Sequence, residues 1–250
     1  MDTKSKKKLI YKYYSPSEYS LDALINRYFW FSRREFLNDP FDLGNFKIGR
    51  RMLAMFKRLI HSYLNGYSVD EIEKQIREYA SCSFTNDEKN KQMWAYYAKD
   101  YSGWCLAFEV EDDMFAQSGY PSPLLPAIYV DKNIVEHSIK KRNNFNDIRF
   151  MNTNTKIEEI IWKILCTKHY SWMHEKEERM LTKMNHVSNN ILGQKHEWGN
   201  LKLHHITIGG KITPAYKNIL LTIAKTNGVP VFRIGVSQAD FTLKKTKITK

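Results

Sequence analysis

The sequence has no apolar run of membrane-spanning length, and no charged-then-apolar leader opens it. Cysteine is scarce: Cys82, Cys105 and Cys166 lie among apolar residues and lack the close spacing of a zinc site or a disulfide framework. No G-x-G-x-x-G or P-loop pattern surrounds Gly209-Gly210, so we interpret this glycine pair as a turn that ends a strand. These absences favour a soluble, cytoplasmic protein with buried structural cysteines.

Acidic residues are also few relative to basic ones, which leaves a net charge of +12 over 250 residues. Residues 1–8 contribute +3 and residues 244–250 contribute +4, so the body of the chain, residues 9–243, holds +5. We interpret both basic ends as solubilising tails, although basic tails also attract nucleic acid. The chain is 42% hydrophobic and 14% aromatic, which argues against disorder and permits a substantial core.

Apolar and aromatic runs bounded by turn residues predict the strands of an α+β fold. We expect strands near residues 9–14, 28–31, 81–85, 104–110, 128–130, 175–182, 203–208 and 231–236. Helices near residues 46–80 and 133–167 should cover them, and Ser68-Val-Asp-Glu71 has the spacing of a capping box. Because we find neither an internal repeat nor a long linker, we predict a single domain over residues 9–243 with a mixed, largely antiparallel sheet.

The segment of residues 162–182 combines an unusual number of charged and aromatic side chains. Its last part alternates, which predicts a strand with Glu175, Glu177 and Arg179 on one face, about 6–7 Å apart in steps of two residues. Carboxylates on one face repel each other, and a cation such as Lys168 or Arg179 would stabilise them. Two interpretations stay open, a solvated ladder of ion pairs and a cleft.

A second polar group follows the predicted strand at residues 28–31. Asn38-Asp39-Pro40 is typical of a turn, because Asn and Asp satisfy local backbone donors and Pro restricts φ. The segment nevertheless holds more polar side chains than a turn requires: Arg33, Arg34, Glu35, Asn38, Asp39 and Asp42. We expect these side chains at the mouth of a cleft beside the aromatic strands.

Three short motifs follow one another along the chain. They are Asn38-Asp39-Pro40-Phe41, Met93-Trp94-x-x-Tyr97-Ala98 and Trp172-x-x-Glu175-x-Glu177-x-Arg179. With these motifs in this order, the chain from about residue 9 to residue 232 resembles the bacterial domain-of-unknown-function family DUF2971. Some relatives in that family lie beside phage-defence genes, including abortive-infection components. The resemblance therefore implies a phage-defence or toxin–antitoxin setting.

The order of the motifs is also similar to that of ADP-ribosyltransferases, which cleave NAD. Those enzymes carry a basic residue on an early strand, then an aromatic–Ser/Thr strand, then a late catalytic glutamate. The counterparts here are Lys12, the strand at residues 81–85 and Glu175-Lys-Glu177. The similarity implies that Glu177 holds a ribose hydroxyl and stabilises an oxocarbenium-like ribose, and that Glu175 activates an acceptor as general base.

The same similarity implies NAD-binding roles for further side chains. Ser83 would brace the nicotinamide pocket, and Lys12 or an arginine of the pair Arg33-Arg34 would hold the pyrophosphate. Trp94, Tyr96 or Tyr97 would stack on a ring of the substrate. The rest of the expected cleft consists of Tyr13, Asn38, Asp39, Lys168 and Arg179. From this similarity we predict an NAD-dependent ADP-ribosyltransferase or an NAD-cleaving effector.

Two other functions stay open. The first is a non-enzymatic, antitoxin-like module that binds nucleic acid or a partner, which would leave Glu175 and Glu177 solvated and show a continuous basic surface. An enzyme instead requires one of these glutamates to be buried beside a cleft with a shifted pKa. The second is a metal-dependent nuclease. The ligands considered for it are His169, His174, Glu175, His204, His205 and Asp39.

Overall fold

A computed structural model of the protein describes residues 7–39, 42, 68–111, 122–130, 156–185, 191–237, 239–240 and 242–248. The strands are β1 (Lys7–Tyr14), β2 (Tyr28–Arg33), β3 (Tyr79–Thr85), β4 (Trp104–Glu111), β5 (Leu125–Pro126), β6 (Ile128–Val130), β7 (Thr167–His169), β8 (Glu177–Lys183), β9 (Gly193–Glu197), β10 (Lys202–Ile208), β11 (Val231–Val236) and β12 (Leu243–Lys247). The helices are α1 (Glu18–Ile25), α2 (Val69–Arg77), α3 (Lys91–Tyr96), α4 (Lys156–Cys166) and α5 (Pro214–Thr226), with short 3-10 helices at Arg34–Phe36 and Tyr170–Glu175.

In the described part of the chain, ten strands form one sheet in which most neighbours are antiparallel. Its main path runs β12-β11-β10-β4-β1-β3-β2-β9, with β8 against β3 and β5 against β8. Strands β10 and β11 are parallel, and the parallel pair β6–β7 forms a separate small sheet. The predicted α+β fold with a mixed, largely antiparallel sheet is therefore confirmed. No helix among the described residues is long and apolar enough to cross a membrane.

Both faces of the large sheet carry apolar clusters, because alternate residues of a strand point to opposite faces. Ile10 belongs to the larger cluster, which α1 and α5 cover, and Tyr13 of the same strand belongs to the smaller one under α3. In the larger cluster, the Phe29 ring packs edge-on against Phe84 and Phe108, with ring centroids 5.0 and 5.3 Å apart. Aromatic packing of this kind stabilises the sheet that positions the site.

Local sequence signals account for several element boundaries. The predicted capping box is present at α2, where the Ser68 hydroxyl accepts from the Glu71 N–H and the Glu71 carboxylate accepts from the Ser68 N–H. Helix α1 begins slightly before the expected position, since Ser17 and not Ser20 caps it. Parts of the two expected helical regions, residues 46–67 and 133–155, lie outside the described residues.

Other boundaries differ from the sequence prediction. Strands β5, β7 and β9 were not predicted, because they are short or polar and depend on tertiary pairing. Strand β1 begins at Lys7, and Lys244–Lys247 form most of β12, so the sheet includes lysines that we assigned to the tails. Gly209 lies at a close backbone approach, where a Cβ would be 2.0 Å from Tyr101 O. This close approach leaves no room for a side chain, so it accounts for the glycine without any bound phosphate.

Strand β3 has two different neighbours along one of its edges. Near its beginning it pairs with β2, with Ser81 opposite Ser32, and at its end it pairs with β1, with Thr85 opposite Tyr11. Its other edge pairs with β8 along all seven residues. Along the first edge, no strand among the described residues pairs with β3 between its contacts to β2 and to β1. A gap therefore opens in the sheet beside Ser83.

A buried ion cluster joins the loop after β3 to the far end of the sheet. The Glu88 carboxylate lies 2.8 Å from His205 Nε2, accepts from Lys245 Nζ at 2.6 Å and accepts from the Thr207 hydroxyl. Burial by itself would raise the pKa of Glu88, but these three partners outweigh it and lower that pKa to about 2. Glu88 therefore stays ionised and stabilises the fold over most of the pH range.

We expect Glu88→Gln to lower the free energy of unfolding at neutral pH by an amount on the order of 3 kcal/mol. Because the pKa of Glu88 is depressed in the folded protein, its contribution is present above about pH 4.5 and is lost as the pH falls through about 2. In urea unfolding at several pH values, the difference in the free energy of unfolding between parent and variant should become smaller as the pH falls. Glu109→Gln, at an exposed ion pair with Lys7, is the control. An equal, pH-independent loss in both variants would contradict this role of Glu88.

Candidate active site

The gap between β1 and β3 forms a cavity of about 170 Å³. Its walls come from residues 11–13 of β1, residues 81–84 of β3, Trp30 and Ser32 of β2, and Met93 and Tyr97 at α3. The remaining wall is polar and consists of Asn38, Asp42, Lys168, Glu175 and Glu177, with Leu37 beside them. Two glutamates that lie close in sequence thus face a cavity whose walls also include five aromatic residues: Tyr11, Tyr13, Trp30, Phe84 and Tyr97.

Lys168 connects the two glutamates. Its Nζ donates to Glu175 Oε2 at 2.5 Å and to Glu177 Oε2 at 2.9 Å, and lies 3.4 Å from Asp42 Oδ2. The lysine and both glutamates are each less than 5% exposed. Burial by itself would lower the pKa of Lys168, but the charges of Glu177 and Asp42 outweigh it and raise that pKa. Lys168 is therefore a fixed positive charge.

Arg179 holds Glu177 from the side opposite the cavity. Its Nε donates to Glu177 Oε1 at 2.7 Å and its Nη2 to Glu177 Oε2 at 2.8 Å, which is bidentate geometry. The same guanidinium contacts Asp42 Oδ1 at 2.6 Å and donates to Leu165 O at 2.7 Å. Arg179 is only 1% exposed, so its position and that of Glu177 are fixed by these contacts.

The two glutamates have opposite pKa shifts. Burial by itself would raise the pKa of Glu177, but the positive charges of Arg179 and Lys168 outweigh it and hold that pKa well below its ordinary value. Burial raises the pKa of Glu175, and the nearby Glu177 raises it further, against the lowering effect of Lys168. Glu177 is therefore the permanent carboxylate, and Glu175 is the one that can exchange a proton.

Tyr97 orients the second oxygen of Glu175. Its hydroxyl donates to Glu175 Oε1 at 2.5 Å and accepts from Asn38 Nδ2 at 3.1 Å. Burial and the charge of Glu175 raise the pKa of Tyr97, so this hydroxyl stays protonated and keeps donating. Both oxygens of Glu175 are thus held in place, which is the geometry required for a positioned acid or base.

The backbone around Glu175 differs from the strand that alternation predicted. Glu175 ends the 3-10 helix of residues 170–175, and Lys176 has a left-handed backbone with φ of 47°. The turn at Lys176 redirects the chain into β8, where Glu177 and Arg179 do share one face. Thr85 Oγ1 donates to Glu175 O at 2.7 Å and fixes the turn against β3. The common face predicted for all three residues is wrong for Glu175.

Lys12 provides positive charge at the opposite wall. Its Nζ donates to Ser83 O at 3.1 Å and lies 5.3 Å from the centre of the Phe84 ring. The Ser83 side chain hydrogen-bonds Glu177 and helps to keep its pKa low. Lys12 and Ser83 therefore bridge the gap in the sheet from β1 to β8.

Residues 93–180 match the family described as "Protein of unknown function (DUF2971)". Over these residues the match supports the family resemblance seen in the sequence, and its description assigns no activity. No curated protein and no solved structure matches the chain. The DUF2971 segment contains Tyr97, Lys168, Glu175, Glu177 and Arg179, whereas Lys12, Asn38 and Asp42 precede it.

Most side chains expected in the cleft line the cavity. They are Lys12, Tyr13, Asn38, Ser83, Tyr97, Lys168, Glu175 and Glu177. Arg179 lies behind the cavity, against Glu177. Trp94 lies elsewhere: it is fully buried, packs against Tyr13 and donates from Nε1 to Glu88 O, so it belongs to the core and has no free face for stacking.

Two further expected residues stabilise the neighbourhood without lining the cavity. Arg33 is buried and donates from Nη1 to Ile191 O at 3.2 Å, so it ties β2 to the segment before β9. Asp39 is also buried, and its backbone carbonyl accepts from the Asp42 N–H at 3.1 Å. The carboxylate that reaches Lys168 from this turn is that of Asp42.

Asp42 and Trp30 line the cavity, although the sequence prediction gave neither a binding or catalytic role. Asp42 had a signal, because it follows the Asn-Asp-Pro-Phe motif directly and lies in the polar group expected at the cleft mouth. Trp30 had none, since an aromatic residue in an aromatic strand is typical of a core. The position of the gap decides that Trp30 faces a cavity.

The residues considered for a metal site do not converge. His205 belongs to the Glu88 cluster, whereas His169 pairs with Ser171 and His174 with the Ser171 carbonyl. The described residues contain no group of three or more His, Cys, Asp and Glu side chains arranged to hold a metal ion. The three cysteines are buried and free.

Proposed function

We propose that the protein binds NAD at the cavity between β1 and β3 and cleaves its nicotinamide–ribose bond, as an ADP-ribosyltransferase or an NAD-cleaving effector. The observation that carries this proposal is the pair Glu175 and Glu177 at one wall of the cavity. Both touch Lys168, yet one is a permanent carboxylate and the other has a raised proton affinity. Divided roles of this kind are typical of acid–base and electrostatic catalysis in a single site.

In this proposal the bond from ribose C1′ to the nicotinamide nitrogen breaks, and nicotinamide leaves with the electron pair. Positive charge develops on the ribose, where the negative charge of Glu177 lowers the barrier because it is already fixed by Arg179. In the same step an acceptor oxygen or nitrogen forms the new bond to C1′. Glu175 takes the proton that the acceptor loses.

The charge distribution around the cavity supports NAD as the substrate. Three carboxylates and two cations form the wall near β8, which leaves one net negative charge there: Asp42, Glu175, Glu177, Lys168 and Arg179. Lys12 places a positive charge at the opposite wall. NAD has a cationic nicotinamide ring and an anionic diphosphate, so the ring matches the negative wall and the diphosphate matches Lys12.

The shape of the cavity supports the same orientation. A volume of about 170 Å³ is smaller than that of common ligand pockets, so one end of NAD would enter and the rest would extend from the mouth. Tyr11, Tyr13, Trp30 and Tyr97 offer ring surfaces to the nicotinamide. The setting that we propose is the one implied by the family resemblance, phage defence or a toxin–antitoxin pair.

The proposal is tested by incubating the purified protein with NAD that is labelled in the adenylate phosphate. Chromatography measures nicotinamide release. Label that appears on added protein or nucleic acid distinguishes ADP-ribose transfer from hydrolysis of NAD. Calorimetric titration with NAD up to about 1 mM, near the upper end of common KM values, measures binding independently. We expect saturable binding and nicotinamide release. A folded protein that neither binds NAD nor releases nicotinamide would contradict the proposal.

A further inference from the structure

Exposed and half-buried aromatic side chains lie next to residues that line the cavity, since Tyr96 precedes Tyr97 and His174 precedes Glu175. Strand β7, which contains Lys168, leads directly into the 3-10 helix of residues 170–175, which ends at Glu175. This helix carries Tyr170, which is 52% exposed. Tyr96 of α3 is 63% exposed, and its ring centroid lies 6.2 Å from that of His174. The Trp172 ring lies 6.1 Å from His174 and 5.1 Å from Lys168 Nζ. We name Tyr96, Tyr170, Trp172 and His174 the aromatic surface.

The aromatic surface is not explained by packing of the core. The inner side of α3 already buries Met93 and Trp94, whereas Tyr96 points outward from the same helix. Single exposed aromatic residues are common on proteins. Here Tyr96 and Trp172 both pack near the His174 ring, next to Glu175 of the cavity, and a group of this kind marks a binding surface.

Lysines surround the beginning and the end of α3. Lys89, Lys91 and Lys99 are exposed, and within the described residues none of them forms an ion pair. The Asn90 side chain, between Lys89 and Lys91, donates to His174 O and so fixes this end of α3 against the aromatic surface. Positive charge and exposed rings therefore lie on the same side of the molecule.

We propose that the aromatic surface binds single-stranded nucleic acid, with a base stacked on Tyr96 beside His174 and the phosphates along Lys89 and Lys91. Flat side chains beside lysines match the unpaired bases and anionic backbone of a single strand. In a duplex the bases stack on one another, so their faces are not available to stack on these aromatic rings. The bound strand would then be the acceptor of ADP-ribose, a part of the inference that rests on the proposed function.

In that reaction a nitrogen or hydroxyl of the bound nucleotide forms a bond to ribose C1′ of NAD. The bond from C1′ to nicotinamide breaks, and nicotinamide keeps the electron pair. The proton of the nucleotide passes to Glu175, which lies at the end of the segment that carries the aromatic surface. No further reactant is required.

Binding is measured by fluorescence anisotropy with labelled single-stranded DNA and RNA oligonucleotides in the absence of NAD. We expect Tyr96→Ala to weaken binding by about 10-fold or more, and Tyr96→Phe to retain it because the ring remains. Tyr19→Ala, on α1 and 85% exposed, is the matched control and should bind normally. Lys91→Glu should also weaken binding and lower its dependence on salt, whereas Lys225→Glu on α5 should not.

Several results would overturn this inference: no oligonucleotide binding by the parent, normal binding by Tyr96→Ala, or tighter binding of duplex than of single strands. Weaker NAD binding by Tyr96→Ala with unchanged oligonucleotide binding would assign the ring to the adenine of NAD instead. Each of the two proposals can be contradicted without the other. Oligonucleotide binding without nicotinamide release would support nucleic-acid binding by the aromatic surface and contradict NAD cleavage. Nicotinamide release without oligonucleotide binding would support NAD cleavage and contradict nucleic-acid binding.

Discussion

We expect Glu175→Gln to reduce nicotinamide release by about 10²- to 10⁴-fold, the usual effect of removing a general acid or base. Glutamine keeps the size of the side chain and a hydrogen-bonding oxygen for Tyr97 or Lys168, but it cannot take a proton. NAD binding should change little, because Lys12 and the aromatic walls remain. Chromatographic rate measurements combined with calorimetric titration would separate the loss in kcat from a loss in affinity.

The neighbouring Glu178 provides the matched control for Glu175. It lies on the other face of β8 and pairs with Lys8 at 2.9 Å, away from the cavity. Glu178→Gln should therefore retain the parent rate. The parent's rate should also fall as the pH drops through the pKa of Glu175, which lies above the ordinary value of 4.5, because a base must be ionised to act. Equal rates in Glu175→Gln and the parent would contradict the assigned role.

We expect Arg179→Met to lower the free energy of unfolding by about 3–5 kcal/mol, the common cost of removing one partner from a buried ion pair. Among the described residues, the substitution leaves Glu177 with a single cation and removes one charged partner of Asp42, while both carboxylates stay buried. It also removes the donor to Leu165 O, which is the contact between α4 and β8. Urea unfolding at neutral pH measures this loss.

Two further variants separate charge from geometry at Arg179. Arg233→Met is the control, because Arg233 is exposed and donates to one backbone carbonyl, Gly210 O. It should leave stability almost unchanged. Arg179→Lys keeps the positive charge but cannot make the bidentate contact, so its stability should fall between those of the parent and Arg179→Met. An Arg179→Met variant as stable as Arg233→Met would contradict a structural role for the buried network.

Local patterns in the sequence were sufficient for most regular elements of the fold. The aromatic and β-branched runs around Phe31, Phe84 and Phe108 became central strands, and Ser68 with Glu71 formed the predicted capping box. These features depend on a few neighbouring residues, which the sequence contains. Strand β9 could not be predicted in the same way, because Gly193–Glu197 is polar and is a strand only through its pairing with β2.

The same distinction applies to the candidate site. The spacing of Glu175, Glu177 and Arg179 near Lys168 was visible in the sequence, and so was the polar group that contains Asp42. Alternation placed Glu175 on a strand, however, whereas the left-handed backbone at Lys176 ends a 3-10 helix there. Alternation describes only residues that remain in one strand, so it fails where the chain turns.

The sequence by itself determined most of the α+β elements, the resemblance to DUF2971, and the group of charged side chains available to the site. The tertiary structure alone decided where β1 and β3 separate, and therefore which side chains face a cavity. It also decided which glutamate keeps its proton more readily. Glu177 receives the bidentate contact of Arg179, whereas Glu175 lies buried beside that fixed charge. Proton affinity depends on burial and on neighbours brought together by folding, and their order along the chain does not encode it.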